Sequence, residues 1–354
     1  MKVTSFVSVA SLALCALAAD MSVDLNATIG GKCSQPAERK EWRQLSREEK
    51  KAFVDAVKCL QRPPKYGKAT SSIVPTGYTP GIPAYNNSTS TFDDIVYAHI
   101  DTNIKDHFTA LFLPWHRWYV HTFHETLKKQ CGYQGVMPYW NWSLDVANIT
   151  ASPLFDSDPE AGLGTFGTPL TDGAFKDAYR SYPTPHVISR TYDPYPFKQD
   201  AAVFPFSFTH RDLSAPTVLD PKNIDSIVNG SKGNFTDFAY KLDGAKAQGP
   251  HNAAHMMLPG DISDPLWSPN DPLFFLHHAN IDRIWWRWQN AHKENMKAFG
   301  GGLTQDLANY DTYPVGAPPA AKKSDELHTA GLTRPVKVSE VLDTTDKYLC
   351  YVYV

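Results

Sequence analysis

The stretch DPLFFLHHANIDRIWWRWQ, residues 271–289, sets two adjacent histidines, His277 and His278, inside a run of large apolar and aromatic residues. Over residues 272–292 the apolar positions recur at helical spacing, so the run reads as a buried helix. Phe274, His278 and Asp282 stand at steps of four and share one stripe of that helix. His278 is thereby expected to point inward, with an aromatic one turn before it and a carboxylate one turn after it. Buried neutral imidazoles without partners are costly, so several together require hydrogen bonds or a metal ion.

The 13 histidines are unevenly spread. His99, His107 and His116 lie in one half of the chain; His251, His255, His277 and His278 lie in the other. His251 and His255, in HNAAH, are four residues apart and share one face of a helix, which lets both reach one metal. A lone histidine is ordinarily a satisfied core or surface residue, and His121, His124, His186, His210, His292 and His328 are read that way. Two all-histidine clusters suit copper or zinc rather than calcium or magnesium. A zinc hydrolase usually adds a carboxylate, as in HExxH, and HNAAH lacks that glutamate. The pattern points to dinuclear copper and dioxygen chemistry.

The rest of the chain fits one helical domain. Residues 37–62 read as a helix with a Ser46/Glu49 capping box and Phe53, Val54, Val57 and Leu60 on one face. Residues 92–104 and 116–130 read as two more helices. Residues 150–235, rich in Pro, Gly, Ser, Asp and Asn, read as long surface loops, and RPVKVSEVL and YLCYVYV as β-prone. A net charge of −3 with mixed signs leaves no footprint for nucleic acid or an anionic membrane. Residues 1–19 have the pattern of a secretory signal, and nothing later is apolar enough to span a membrane, so a secreted protein with a catalytic domain over 20–354 is expected. Sequons at Asn26, Asn86, Asn87, Asn141, Asn148, Asn229 and Asn234 agree, with Asn141 expected to be unused among its aromatic neighbours. Beyond Cys15 in the signal, four cysteines allow three disulfide pairings. Cys33 with Cys350, tying the ends, and Cys59 with Cys131 is the pairing expected.

HFTALFLPWHRWYVHTFHETL followed by GVMPYWNW, then PHNAAHMMLPG and SPNDPLFFLHHANIDRIWWRWQ, resembles the type-3 copper proteins, and among them the short secreted fungal tyrosinases and catechol oxidases. The resemblance implies a mainly α fold: a central four-helix bundle holding a dinuclear copper site, wrapped by long loops and a few short strands. It assigns the first copper to His99, His107 and His116 and the second to His251, His255 and His278. His277 matches an adjacent histidine that is not a ligand, Phe274 an aromatic stacked over the second copper, and Asp282 and Arg283 polar support for the ligands. Pro265, Leu266 and Trp267 fall where the family places its entrance residue.

Two departures matter. Lys105 stands where many tyrosinases have a cysteine bonded to the second histidine, so no thioether is expected. The resemblance also matches Asn252 to an asparagine that, with a glutamate, holds a water near the second site. Gln248 replaces that glutamate, and an amide is no base, which favours catechol oxidation over monophenol hydroxylation. The implied activity is oxidation of o-diphenols to o-quinones with O2 as co-substrate and a small phenol as partner. The alternatives are a tailoring phenol oxidase of a secondary-metabolite pathway and a haemocyanin-like oxygen carrier. Carriers shield the site with a further domain, and no C-terminal shielding domain is expected here.

Overall fold

The computed structural model describes residues 33–62, 73–85, 90–198, 207–244, 248–346 and 348–354, so the expected signal and the sequons at Asn26, Asn86 and Asn87 lie outside the described residues. It is mainly helical. Helices α1 (Arg47–Leu60), α2 (Thr91–Asp106) and α3 (Phe112–Cys131) are followed by α4 (Ala215–Val218), α5 (Pro221–Asn229), α6 (Phe235–Asp243), α7 (Pro250–Met256), α8 (Leu273–Ala291) and the single turn α9 (Val338–Val341). The strands are short: β1 (Ala37–Arg39), β2 (Tyr179–Arg180), β3 (His186–Val187), β4 (Gly302–Thr304), β5 (Ala317–Ala320), β6 (Glu326–Leu327), β7 (Val336–Lys337) and β8 (Tyr351–Tyr353). They form four two-stranded ribbons, β1 pairing parallel with β8 and the other three antiparallel.

α8 is the axis of the core. α3 packs along it through Phe123 and Phe275, whose rings stack at 3.6 Å, and α2 joins through Phe92 against Phe275. On another side Phe238 of α6 stacks on Trp288 at 4.4 Å. A buried ion network fixes how these helices sit. Asp282 of α8 accepts from Arg117 Nε of α3 at 2.5 Å, from Arg39 of β1 at 3.3 Å, and from the hydroxyls of Tyr351 and Tyr353 of β8. The Arg39 guanidinium also lies 3.4 Å over the Tyr351 ring. Cys33–Cys350 closes the same two-ended seam, and Cys59–Cys131 ties α1 to α3, both as expected.

Four expectations require correction. The helix read over 37–62 begins at Arg47, because Ser46 and Glu49 close a reciprocal capping box there and the backbone of Ala37–Arg39 pairs instead with β8. The span 150–235 is not all loop: Ser214 and Asp220 cap α4 and α5, each with proline in the first turn, and Ile224, Ile227 and Val228 are buried. These helices are too short for periodicity to reveal them. RPVKVSEVL holds only two strand residues before α9, whose buried Val338 and Val341 pack beneath α3, overriding their β propensity. α3 also starts four residues earlier than read and stops at Gly132, which takes the left-handed cap at φ 67°.

Candidate metal centre

Four helices bring the histidines together. α2 supplies His99, its C-terminal cap is His107, α3 supplies His116, α7 supplies His251 and His255, and α8 supplies His277 and His278. His99, His107 and His116 form one cluster and His251, His255, His277 and His278 another, the potential ligand atoms within each lying within 4.8 Å of one another. The clusters face each other across His116 and His278, whose rings stack at 4.2 Å and 11°.

Hydrogen bonds select the ring nitrogen that faces inward. Nδ1 of His99 donates to the Leu266 carbonyl (2.6 Å), that of His107 to Asn103 (3.2 Å), that of His116 to Phe112 (2.9 Å) and that of His255 to Ile262 (2.6 Å). Nδ1 of His251 meets the Asp243 carboxylate at 2.9 Å. Each ring therefore carries its proton on Nδ1 and keeps a lone pair on Nε2. The Nε2 atoms of His99, His116 and His251 are buried without any hydrogen-bond partner, and those of His255 and His278 stand 3.1 Å apart. Two imidazoles bound to one ion with bonds of about 2.0–2.1 Å would stand about 3 Å apart. Orphaned, inward lone pairs on an all-imidazole donor set fit a copper-type metal in each cluster.

His277 differs. Its Nδ1 accepts from the Trp142 indole N–H at 3.3 Å, which puts its own proton on Nε2 and leaves no inward lone pair. Burial holds the site imidazoles neutral: it pushes His107 down to about 4 and His251 and His255 down to about 3, and holds His99, His116 and His278 well below 6.5.

Phe274 is fully buried, with its ring 4.2 Å from His278 and 5.1 Å from His99, so it touches both clusters rather than the second alone. Asp282 touches no site histidine: it acts through Arg117, next to His116. Arg283 packs over Tyr139 instead. Pro265, Leu266 and Trp267 are partly exposed, and the Pro265 carbonyl accepts from the Asn103 side chain at 2.7 Å. Asn252 donates to the Gly244 carbonyl at 2.8 Å, and the Gln248 amide is taken by the Thr209 carbonyl.

The acid that meets the site is Asp243, which the sequence reading missed. It is the last residue of α6, ahead of Gly244 in a left-handed cap (φ 69°), and that turn folds it back over eight residues onto His251. Burial pushes its pKa up to about 7, against the pull of His107. An Asp-Gly helix end just before the paired histidines was the available signal. Trp142, Asn103 and Ile262 were likewise unforeseen, since the last two act through backbone carbonyls.

A helical protein with two facing all-histidine clusters, one of three rings and one of four, presents donor sets of the kind that imidazole-preferring metals take. The family model for the common central domain of tyrosinase matches residues 89–291, and the chain belongs to the tyrosinase family. It is 31% identical over 336 residues to the tyrosinase-like protein phomQ1' of Diaporthe leptostromiformis, covering 91% of this chain and 81% of that one. It is 29% identical to the N-acetyl-6-hydroxytryptophan oxidase ivoB of Emericella nidulans, over 96% of this chain and 98% of that one. Its fold matches a polyphenol oxidase of Thermothelomyces thermophila with a TM-score of 0.68 at 24% identity, covering 90% and 89% of the two chains. The protein is thus a copper-dependent oxidoreductase, and its fold implies a dinuclear copper site. No helix among the described residues is long and apolar enough to cross a membrane.

Proposed function

We propose that this chain is a secreted phenol oxidase, with a signal at 1–19 and a single catalytic domain over 20–354, that oxidises catechols to o-quinones with dioxygen. One copper is held by His99, His107 and His116 and the other by His251, His255 and His278. The observation that carries this reading is the set of inward Nε2 lone pairs on two facing clusters. When bound, the copper pair would supply the two-electron exchange between dioxygen and the phenol.

The chain's own residues do the rest. Backbone carbonyls and Asp243 hold the Nδ1 protons of His99, His107, His116, His251 and His255, and burial keeps these rings and His278 neutral, so five Nε2 lone pairs are fixed by hydrogen bonds and His278 stacks against His116 beside them. Phe274 and Phe112, whose ring lies 4.7 Å from His251, wall the site with apolar surface and keep water from the ligands. His277 packs 4.4 Å from His255 and braces it. No base occupies the Gln248 position, which favours diphenols over monophenols.

The relative named an N-acetyl-6-hydroxytryptophan oxidase favours a second, narrower reading, a tailoring oxidase acting on one phenolic metabolite. Oxygen uptake by the copper-loaded protein is the test of both. Uptake with a simple catechol and none with the matching monophenol is expected. Uptake only with a hydroxyindole supports the narrower reading, and uptake with no phenol at all overturns both. His255→Ala should bind one copper where the parent binds two; a retained pair would refute the ligand assignment.

A further inference from the structure

The connection between α7 and α8, residues 257–272, aims one histidine of each cluster: its Ile262 carbonyl receives His255 Nδ1 and its Leu266 carbonyl receives His99 Nδ1. Nothing else in the chain touches both clusters through hydrogen bonds of this kind among the described residues. The connection is held from outside by the segment 179–191. Arg190 forms a fully buried bidentate pair with Asp271 (2.8 Å twice), and Arg180 Nε donates to the Asn270 carbonyl at 2.8 Å. At the other end Asp261, next to Ile262, accepts from Ser189 N at 2.9 Å and meets His186 Nε2 at 2.5 Å.

His186 has a second bond. Its Nδ1 lies 2.7 Å from the Thr184 carbonyl. Both ring nitrogens thus face acceptors that can offer no proton, a carbonyl and a carboxylate, and only the imidazolium satisfies both. A neutral ring would set a lone pair against one of them. Of the cations in this clamp His186 is the one whose ordinary titration range lies near neutral pH, so it is the one that a modest rise in pH switches off.

We propose that His186 is a positioning residue for the metal centre: as an imidazolium bridging Thr184 and Asp261 it holds the 257–272 connection, and so the Ile262 carbonyl that aims His255. This rests on the copper-site reading above. The Asp261 carboxylate holds the His186 pKa above 6.5 against burial, the Thr184 carbonyl adding to the rise, while the charge of Arg180 opposes it. A raised value means that the clamp is complete below pH 6.5 and is released as pH climbs through the folded-state value. The site imidazoles, pushed down to about 3 and about 4, titrate in a separate and lower range.

The test is copper release from the loaded full-length protein to excess EDTA at about pH 6 and about pH 8.5, comparing the parent with His186→Arg, a permanent cation, and His186→Gln, a neutral group. At the lower pH the parent should match His186→Arg. At the higher pH it should release copper about tenfold faster than His186→Arg, at the low end of what a lost supporting partner costs a metal site. His186→Gln should release quickly at both. In the metal-free protein, nitrogen-edited proton spectra should show two ring N–H signals for His186 at the lower pH. Equal release by all three proteins at both pH values, or a single ring N–H signal, overturns the clamp alone. A parent that binds no copper at any pH overturns the metal-site reading and the clamp with it.

Discussion

Asp282→Asn removes the charge at the centre of the buried network while keeping the side chain's shape. Arg117 and Arg39 have side chains 0% and 2% exposed, and both would be left as buried cations with no counter-charge. Arg117 keeps the Val341 and Leu342 carbonyls, Gln289 and the Trp285 ring face, and Arg39 keeps the Tyr351 face, so neither is stripped of every partner. Breaking a buried ion pair from one side costs about 3–5 kcal/mol, against total stabilities of about 5–15 kcal/mol. At about 2.1 cal/mol/K per residue, 354 residues give an unfolding entropy near 0.7 kcal/mol/K, so Tm should drop by about 4–7 °C. Burial alone would raise the Asp282 pKa, but Arg117, Arg39 and the two tyrosine hydroxyls outweigh it and hold the carboxyl below its usual range. The contribution is therefore complete above the ordinary carboxylate pKa and lost only as pH falls through the lower folded value, so the deficit should be equal at pH 5 and pH 8. Calorimetric melts of the metal-free protein with disulfides intact read this directly. Because Arg117 adjoins His116 and Asp282 lies one turn from His278, the variant should also take up copper more weakly. A Tm within about 1 °C of the parent would refute the reasoning.

Asp243→Asn keeps an oxygen for His251 but loses the charge, and Asp243→Ala loses both; copper affinity of the second cluster should fall by about 10–100-fold in the alanine variant and less in the asparagine one, read by chelator competition. The metal-free protein should lose stability as pH drops from 6.5 toward about 4, because His107, His251, His255, His121 and His124 stay neutral when folded but bind protons when unfolded, while Asp94 and Asp243, which burial raises to about 7, act in the opposite sense and make the loss smaller. Melts over that range check it, and stability that rises throughout on acidification would contradict buried neutral rings. Replacing Cys59 and Cys131 by serine should cost about 2–5 kcal/mol by opening a loop of 72 residues, seen as a lower denaturant midpoint.

The residue types and their spacing determined the chemistry. Steps of four on one helix put His251 beside His255, and Phe274 beside His278, whatever the rest of the chain does, and the motif order carried the remaining histidines. Local signals also held where they were self-contained, as with the Ser46/Glu49 capping box. The tertiary structure decided everything that depends on an acceptor distant in sequence. Which nitrogen of His99 faces into the cluster is set by the Leu266 carbonyl, 167 residues away. His277 and His278 are neighbours of identical type, and the Trp142 indole, 135 residues from His277, gives His277 a tautomer with its proton on Nε2. Asp243 reaches His251 because a left-handed glycine turns the chain, and Ala37–Arg39 left the helix read for it because β8 offered its backbone bonds from the far end. Side-chain periodicity is local and written in the sequence; the partner of a buried polar atom is whatever the folded chain brings within 3 Å or so of it.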